Sequence, residues 1–221
     1  MTGILMFPAM LLGPAIAGLL LTRIDNPREG LRNLFRRMFH RRVSPRWFAV
    51  LLIPPVLVLA TLFILKTAVS HSYSPNFFLA GVFFGVPAGF LEEIGWTGYA
   101  FPSLRSRRTV WGASILLGLL WSLWHLPVID FLGSASPHGK YLWPFFAAFA
   151  TAMTAMRVLI CWLYSKTDSV LLAQLLHISL TGSLVVFGPP AVAPGQETMW
   201  YGLYGVLLWL VVAGLVARDW S

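Results

Sequence analysis

Long runs of apolar residues dominate this sequence and restrict the folds that it can adopt. The clearest are residues 4–21, 48–65, 110–123 and 199–216. A helix needs about 20 predominantly apolar residues to cross the hydrocarbon layer of a bilayer. Only 11% of the residues are charged, against roughly a quarter in soluble domains. The sequence therefore predicts an all-α fold, a polytopic membrane helix bundle.

About seven transmembrane helices are predicted, and together they form a single transmembrane domain over residues 1–221. The predicted spans are 3–22, 46–65, 76–104, 109–128, 141–165, 169–188 and 199–217. The first apolar run begins almost at Met1 with no basic residue before it, whereas a secretory signal has a positive segment ahead of its core. We therefore interpret it as a retained first helix.

A basic segment, residues 27–42, has the pattern of an amphipathic helix lying on the membrane surface. Its apolar residues recur at helical spacing, and its arginines lie mostly off that stripe. The stripe is Leu31, Leu34, Phe35, Met38 and Phe39, and the arginines are Arg28, Arg32, Arg36 and Arg37. Such helices bind anionic head groups. The net charge of +8 thus indicates membrane lipids as partners and no nucleic acid, with substrate docking as an alternative role for the segment.

The distribution of basic residues between alternate loops predicts the orientation of the chain. If the loop 23–46 is cytoplasmic, most other basic loop residues also fall inside. Those inside are Arg105, Arg107, Arg108, Lys166 and Arg218, and those outside are Lys66 and Lys140. The positive-inside rule then places the amino terminus outside and the carboxyl terminus in the cytoplasm. The expected location is the bacterial inner membrane, as a multi-pass protein.

Ionisable residues stand at four places well inside the predicted spans. They are the pair Glu92-Glu93, His125, Arg157 and His177. A charge at the bilayer centre costs about 2.5–3.5 kcal/mol on insertion scales, so each needs a reason. A single histidine here is more often a capping or helix-bridging residue, but structure rarely requires two adjacent buried carboxylates. Together these residues predict a polar intramembrane site.

The predicted hairpin of the third and fourth spans places Glu92 and His125 at similar depth. A carboxylate beside a histidine can take a proton from water and return it to a leaving amine. His177 lies shallower, about 12 Å from the cytoplasmic side against about 24 Å for the other two. A helix break near Pro87, or a tilt, would be needed to bring it to the site.

Two pairs at helical i, i+4 spacing accompany these residues. Trp121 shares a helix face with His125. His177 and Thr181 also share a face, and a histidine with a hydroxyl one turn away can donate hydrogen bonds to an oxyanion.

Three segments resemble the motifs of a known family of membrane proteases. They read FLEEIGWTGYAFPSL at 90–104, WSLWHLP at 121–127 and LLHISLTGS at 175–183. In this order and spacing they resemble the CPBP intramembrane proteases, the CAAX prenyl endopeptidase and bacteriocin-processing (Abi) family, which includes the Rce-type enzymes. The resemblance extends from about residue 5 to 188, with a catalytic core over residues 76–188.

The resemblance implies an endopeptidase of the glutamic type that requires no cofactor. Glu92 would be the general base and would bind the nucleophilic water with His125, while Glu93 would orient the site. His177 and Thr181 would form the oxyanion hole. A zinc-dependent version, with the metal held by Glu92, His125 and His177, stays open because three such ligands leave one position free for water.

The sequence departs from the family pattern at two positions. The first motif usually ends in arginine, and here that residue is Thr97. The third usually ends in asparagine, and here Thr181 can still donate a hydrogen bond. Because Thr97 cannot supply a charge, we hypothesise that Arg157 supplies it to the buried carboxylates. The alternative is that Arg157 extends to the cytoplasmic face.

Three functions remain open from the sequence. The first is an intramembrane endopeptidase that hydrolyses membrane-associated peptides or protein tails. The second is a non-catalytic bacteriocin self-immunity or scaffold protein of the same fold. The third is a small transporter with a proton relay, which would have inverted repeats that this sequence lacks.

Overall fold

A computed structural model describes residues 6–129, 138–190 and 192–219, which are mostly helical. The helices are α1 Met6–Asp25, α2 Gly30–Met38, α3 Ile53–Ala68, α4 Val82–Gly95, α5 Phe101–Arg105, α6 Val110–Trp124, α7 Leu142–Thr167, α8 Val170–Phe187 and α9 Pro194–Asp219. A 3-10 segment, Pro45–Leu52, leads into α3. A π-helical turn, Trp96–Ala100, joins α4 to α5. The predicted all-α bundle is confirmed, while residues 3–5 of the first predicted span lie outside the described residues.

Within the part of the chain that the structure describes, six helices are long and apolar enough to cross a membrane. They are Met6–Asp25, Pro45–Ala68, Val110–Ile129, Gly139–Thr167, Val170–Phe187 and Pro194–Arg218. The predicted third span, 76–104, is not among them. Its helix begins only at Val82, has 14 residues in α4 and continues through the π-helical turn into α5. The two glutamates also make this segment less apolar than the six.

Helix α7 is the centre of the bundle. Every residue from Ala152 to Tyr164 is buried, and α6 and α9 pack against it. A helix that is buried on all sides can hold a polar side chain away from both water and lipid. Arg157, in the middle of this stretch, is therefore surrounded by protein.

Small residues bring α4 and α8 close together. A Cβ atom added at Gly89 would lie 2.6 Å from the backbone nitrogen of Ile178, and one at Gly85 would lie 2.9 Å from that of Gly182. Glycine faces of this kind allow helix backbones in membranes to approach closely. Glu93 lies one helical turn after Gly89, so the close approach of the two helices places its carboxylate near His177.

The basic segment predicted over 27–42 forms a helix only over Gly30–Met38. Leu34 and Met38 are buried in the bundle, whereas Phe35 and Phe39 are 45% and 60% exposed. The apolar stripe is therefore divided between protein contacts and the surface.

Arg37 of α2 binds the π-helical turn that follows the two glutamates. Its Nη2 donates to the carbonyl of Gly98 at 3.0 Å, and its Nη1 donates to the hydroxyl of Tyr164. In an α-helix the Gly98 carbonyl would accept from residue 102, but Pro102 has no N–H group. The arginine thus supplies a donor that the helix backbone lacks.

We expect Arg37→Met to destabilise the protein by about 1.5–3 kcal/mol, the usual contribution of a hydrogen bond to a charged group. The measurement is unfolding in detergent followed by tryptophan fluorescence. Arg36→Met is the matched control, because Arg36 is an exposed neighbour on the same helix. Equal stability of the two variants would contradict a specific role of Arg37 at the turn.

Candidate active site

Glu93 is the centre of a fully buried polar cluster. Arg157 Nη1 lies 2.8 Å from both carboxylate oxygens, and His177 Nδ1 lies 2.7 Å from Oε1. The hydroxyl of Thr97 donates to Oε2. Glu93, Thr97 and Arg157 are each 0% exposed and His177 is 2% exposed. A buried carboxylate needs such partners, because an unpaired charge at this depth is costly.

The ion pair that we hypothesised between Arg157 and the buried carboxylates is present, and it is made to Glu93. The alternative, in which Arg157 reaches the cytoplasmic face, is wrong because its side chain is completely buried. Thr97 stands where the family pattern has arginine, and it supports Glu93 through its hydroxyl instead of a charge. The guanidinium therefore reaches the carboxylate from α7 and not from α4.

Glu92 points to a different partner from its neighbour. It is 3% exposed, and its Oε2 accepts a hydrogen bond of 2.9 Å from Trp121 Nε1. The sequence predicts that it lies at the depth of His125, where the two could meet. Its hydrogen-bond partner among the described residues is the tryptophan one turn before that histidine. Trp121 therefore links the first motif to the second.

Trp121 contacts most of the ionisable side chains that the sequence predicted for the site. Besides Glu92, they are Arg157, His125 and His177. The Arg157 guanidinium carbon lies 4.2 Å from the centre of its ring, a cation–π contact. The rings of His125 and His177 each meet the indole edge-on, with centroids 5.1 Å away. Trp121, which the sequence predicted only as a supporting residue, is thus the common wall of the site.

The tautomer of His125 follows from its backbone contact. Its Nδ1 lies 2.7 Å from the carbonyl oxygen of Trp121. A carbonyl accepts, so Nδ1 carries the proton. In the neutral ring Nε2 is then an acceptor, free to bind a water molecule or to receive a proton.

His177 meets Glu93 without the helix break predicted near Pro87, because α4 is continuous over Val82–Gly95. The close approach of α4 and α8 at Gly85 and Gly89 brings the two together. Because its Nδ1 donates to the carboxylate, His177 can donate from Nε2 only as an imidazolium. Thr181, one turn later, is half-buried and lines a cavity, whereas His177 does not.

A cavity of about 420 Å³ extends from this cluster to one end of the bundle. Trp121, His125 and Thr181 line its inner part, and its walls are mainly aromatic and aliphatic. Glu92 and Glu93 are not lining residues, but Glu92 is hydrogen-bonded to Trp121, which does line the cavity. An apolar chain can occupy such a space next to the polar residues.

The arrangement does not fit a metal centre. Within residues 6–129, 138–190 and 192–219 no three histidine, cysteine or acidic side chains lie close enough to hold a metal ion. Glu92 is bound to Trp121, and His177 uses its Nδ1 on Glu93. The three residues considered for zinc therefore do not converge on one point.

Sequence reasoning missed one polar pair in the same cavity. His138 Nε2 lies 3.0 Å from Glu197 Oε2, and both residues line the cavity at its outer end. His138 precedes the 3-10 turn Gly139–Tyr141 and Glu197 lies in the first turn of α9, 59 residues apart in sequence and both outside the predicted spans. No periodicity or motif in the sequence connects them.

Comparison with known proteins identifies the family of this chain. The sequence matches the family described as type II CAAX prenyl endopeptidase Rce1-like over residues 74–183. It is 30% identical over 234 aligned residues to CAAX prenyl protease 2 of Methanococcus maripaludis, covering 98% of this chain and 82% of that protein. The chain belongs to the Rce1-like CAAX prenyl endopeptidase family. With six candidate membrane spans, this Rce1-like protein is a multi-pass member of a family of intramembrane proteases.

Proposed function

We propose that this Rce1-like protein hydrolyses peptide bonds by means of water activated by Glu92. The observation that carries the proposal is the buried arrangement of Glu92, Trp121 and His125 beside a cavity lined by apolar residues. Trp121 holds Glu92, and Glu93 is neutralised by Arg157. One carboxylate is therefore left for chemistry and the other for structure.

The proposed reaction needs four polar side chains. Glu92 takes a proton from a water molecule bound near His125 Nε2, and the water oxygen bonds to the peptide carbonyl carbon. Thr181 and an imidazolium form of His177 donate to the oxyanion. When the C–N bond breaks, the proton held by Glu92 passes to the leaving amine. The products are a carboxylic acid and an amine, which ionise in water, and no cofactor takes part.

The location, orientation and partners that we propose follow from the basic loops and the apolar helices of the chain. The protein lies in the cell membrane, taken to be a bacterial inner membrane, with its amino terminus outside and carboxyl terminus in the cytoplasm. Its partners are membrane lipids and a peptide or membrane-protein segment, with no nucleic acid. The arginines of 23–46 would contact anionic head groups.

The test is cleavage of quenched peptides, including prenylated ones, by purified protein in detergent. We expect His125→Ala to lower kcat by about 100-fold, as for misplacement of a reacting group, because the variant loses the nitrogen that positions the attacking water. His71→Ala is the matched control, since His71 lies in the 3-10 turn His71–Tyr73, is exposed and does not line the cavity. Equal rates for the two variants would contradict a role for His125.

A chelator arm tests the metal-free mechanism in the same assay. We expect activity to be unchanged by chelator, because the three candidate ligands do not converge. Loss with chelator and recovery with zinc would replace this mechanism by a metal-dependent one. No cleavage of any peptide by stable wild-type protein would favour the alternative, an immunity or scaffold protein of the same fold.

A further inference from the structure

Glu197 places a carboxylate at the outer end of the cavity that reaches the motif residues. It lies in the first turn of α9 and its side chain is 36% exposed, whereas that of its partner His138 is 10% exposed. In the described part of the chain no arginine or lysine lines this cavity, and most of the lining is apolar or aromatic. An acidic group therefore stands at the mouth of a largely apolar passage.

The contacts of His138 leave the negative charge of Glu197 uncancelled. Its Nε2 lies 3.0 Å from Glu197 Oε2, while its Nδ1 is buried and has no hydrogen-bond partner among the described residues. An imidazolium would bury a second N–H group without an acceptor, and an unpaired buried donor costs free energy. The contacts therefore fit a neutral ring that donates from Nε2. The pair then carries one negative charge, and Glu197 Oε1 can accept from a further donor.

A row of aromatic contacts joins this pair to the motif residues. The ring of His138 stacks on Phe145 with centroids 4.2 Å apart. Phe145 meets Phe149 at 6.1 Å, and Phe149 meets the ring of His125 at 5.6 Å. These three contacts limit the distance between the two histidines. An extended peptide rises about 3.3 Å per residue, so no more than about five residues fit between them.

We propose that Glu197 binds a positively charged nitrogen group of the peptide substrate. The group is an amino terminus or a lysine side chain, within about five residues of the bond that is cleaved. Its N–H groups donate to Glu197 Oε1, while Oε2 keeps the hydrogen bond from His138. Lys140, two residues after His138, has another contact, because its Nζ lies 5.4 Å from the ring centre of Tyr141, and it does not line the cavity. This inference rests on the proposed protease function.

The test compares quenched apolar peptides that carry either lysine or norleucine at successive positions near the cleaved bond. All have acetylated amino termini, and a further peptide with a free amino terminus and no lysine distinguishes the two sources of charge. We expect the wild type to cleave the best charged peptide with a kcat/KM at least about fivefold above that of its neutral partner, the upper range for a partly exposed ion pair. Loss of this preference in variants of Glu197 identifies its partner.

Glu197→Gln keeps the shape of the side chain, and its oxygen can still accept from His138 Nε2. We expect the preference for the charged peptide to fall to about one in this variant, because the attraction between opposite charges is lost. Glu29→Gln is the matched control and should keep the wild-type preference, since Glu29 is 52% exposed and does not line the cavity. Equal preferences in wild type and Glu197→Gln would overturn the inference, as would a wild type that prefers neither charged peptide.

Two measurements keep the subsite testable without turnover or without a folded variant. Binding of the same peptides to Glu92→Gln, measured by displacement of a fluorescent peptide, should show the same preference of about fivefold, and adding Glu197→Gln should remove it. If the wild type cleaves no peptide, the proposed function fails and this binding measurement alone decides the subsite. If Glu197→Gln does not fold, carbodiimide cross-linking of the wild type to the lysine peptide decides it. A cross-link at Glu197 supports the inference, and cross-links at other acids alone would overturn it.

Discussion

Replacing Arg157 by methionine is expected to destabilise the folded protein by about 3–5 kcal/mol, the cost of removing one member of a buried ion pair. Methionine keeps much of the apolar volume but leaves the Glu93 carboxylate without its cation, at a position that is 0% exposed. It also removes the cation–π contact with Trp121. The measurement is the free energy of unfolding in mixed detergent micelles.

A double variant separates the ion pair from general packing. Arg157→Met combined with Glu93→Gln removes both charges, and we expect it to recover most of the lost stability, since neutral replacements of buried pairs are often tolerated. Arg107→Met, at an exposed arginine, is the matched control and should change stability by less than about 0.5 kcal/mol. If the single variant lost no more than this control, the buried pair would not stabilise the fold.

The sequence predicted the members of the site better than their contacts. Arg157 was singled out because an arginine inside a span needs a partner, and that argument led to the correct ion pair. Which glutamate it would bind could not be deduced, because adjacent residues on a helix point about 100° apart. Only the packing of α4 between α1 and α8 decides that Glu93 faces Arg157 and Glu92 faces Trp121.

The depth of His177 shows a second limit of sequence reasoning. Counting residues from the helix ends places it shallower than Glu92 and His125, with a tilt or a break near Pro87 as the remedy. Helix α4 is continuous through Pro87 over Val82–Gly95, and His177 meets Glu93 because glycines let α4 and α8 approach closely. Tilt and separation of helices depend on such long-range contacts, which a single sequence does not display.

The pair formed by His138 and Glu197 was beyond prediction for a related reason. Both residues lie just before predicted spans, where a solvated side chain is the ordinary interpretation. Their contact at 3.0 Å depends on how the start of α9 sits against the turn Gly139–Tyr141. A contact between residues that belong to no helical pattern or motif can be identified only in the folded structure.

Glu92→Gln is expected to lower kcat by about 10⁴-fold, the upper range for loss of a group that transfers a proton. Glutamine has nearly the same shape, and its side-chain oxygen can still accept the hydrogen bond from Trp121 Nε1. The fold and the cavity should therefore persist while the base is lost. The measurement is single-turnover cleavage of a quenched peptide by the purified variant, together with its unfolding free energy.

Two further variants distinguish the base from a merely structural carboxylate. Glu92→Asp keeps the base but withdraws it by one methylene, and we expect a loss of about 100-fold, as for misplacement of a reacting group by about 1 Å. Glu29→Gln, at an acid that is 52% exposed, should leave kcat unchanged. Suppose that Glu92→Gln were as stable as the wild type and kept more than about a tenth of its rate. The carboxylate would then lower the activation free energy by less than about 1.4 kcal/mol, the equivalent of a tenfold change in rate. Glu92 would then be structural, and the activating group would have to be sought at His125.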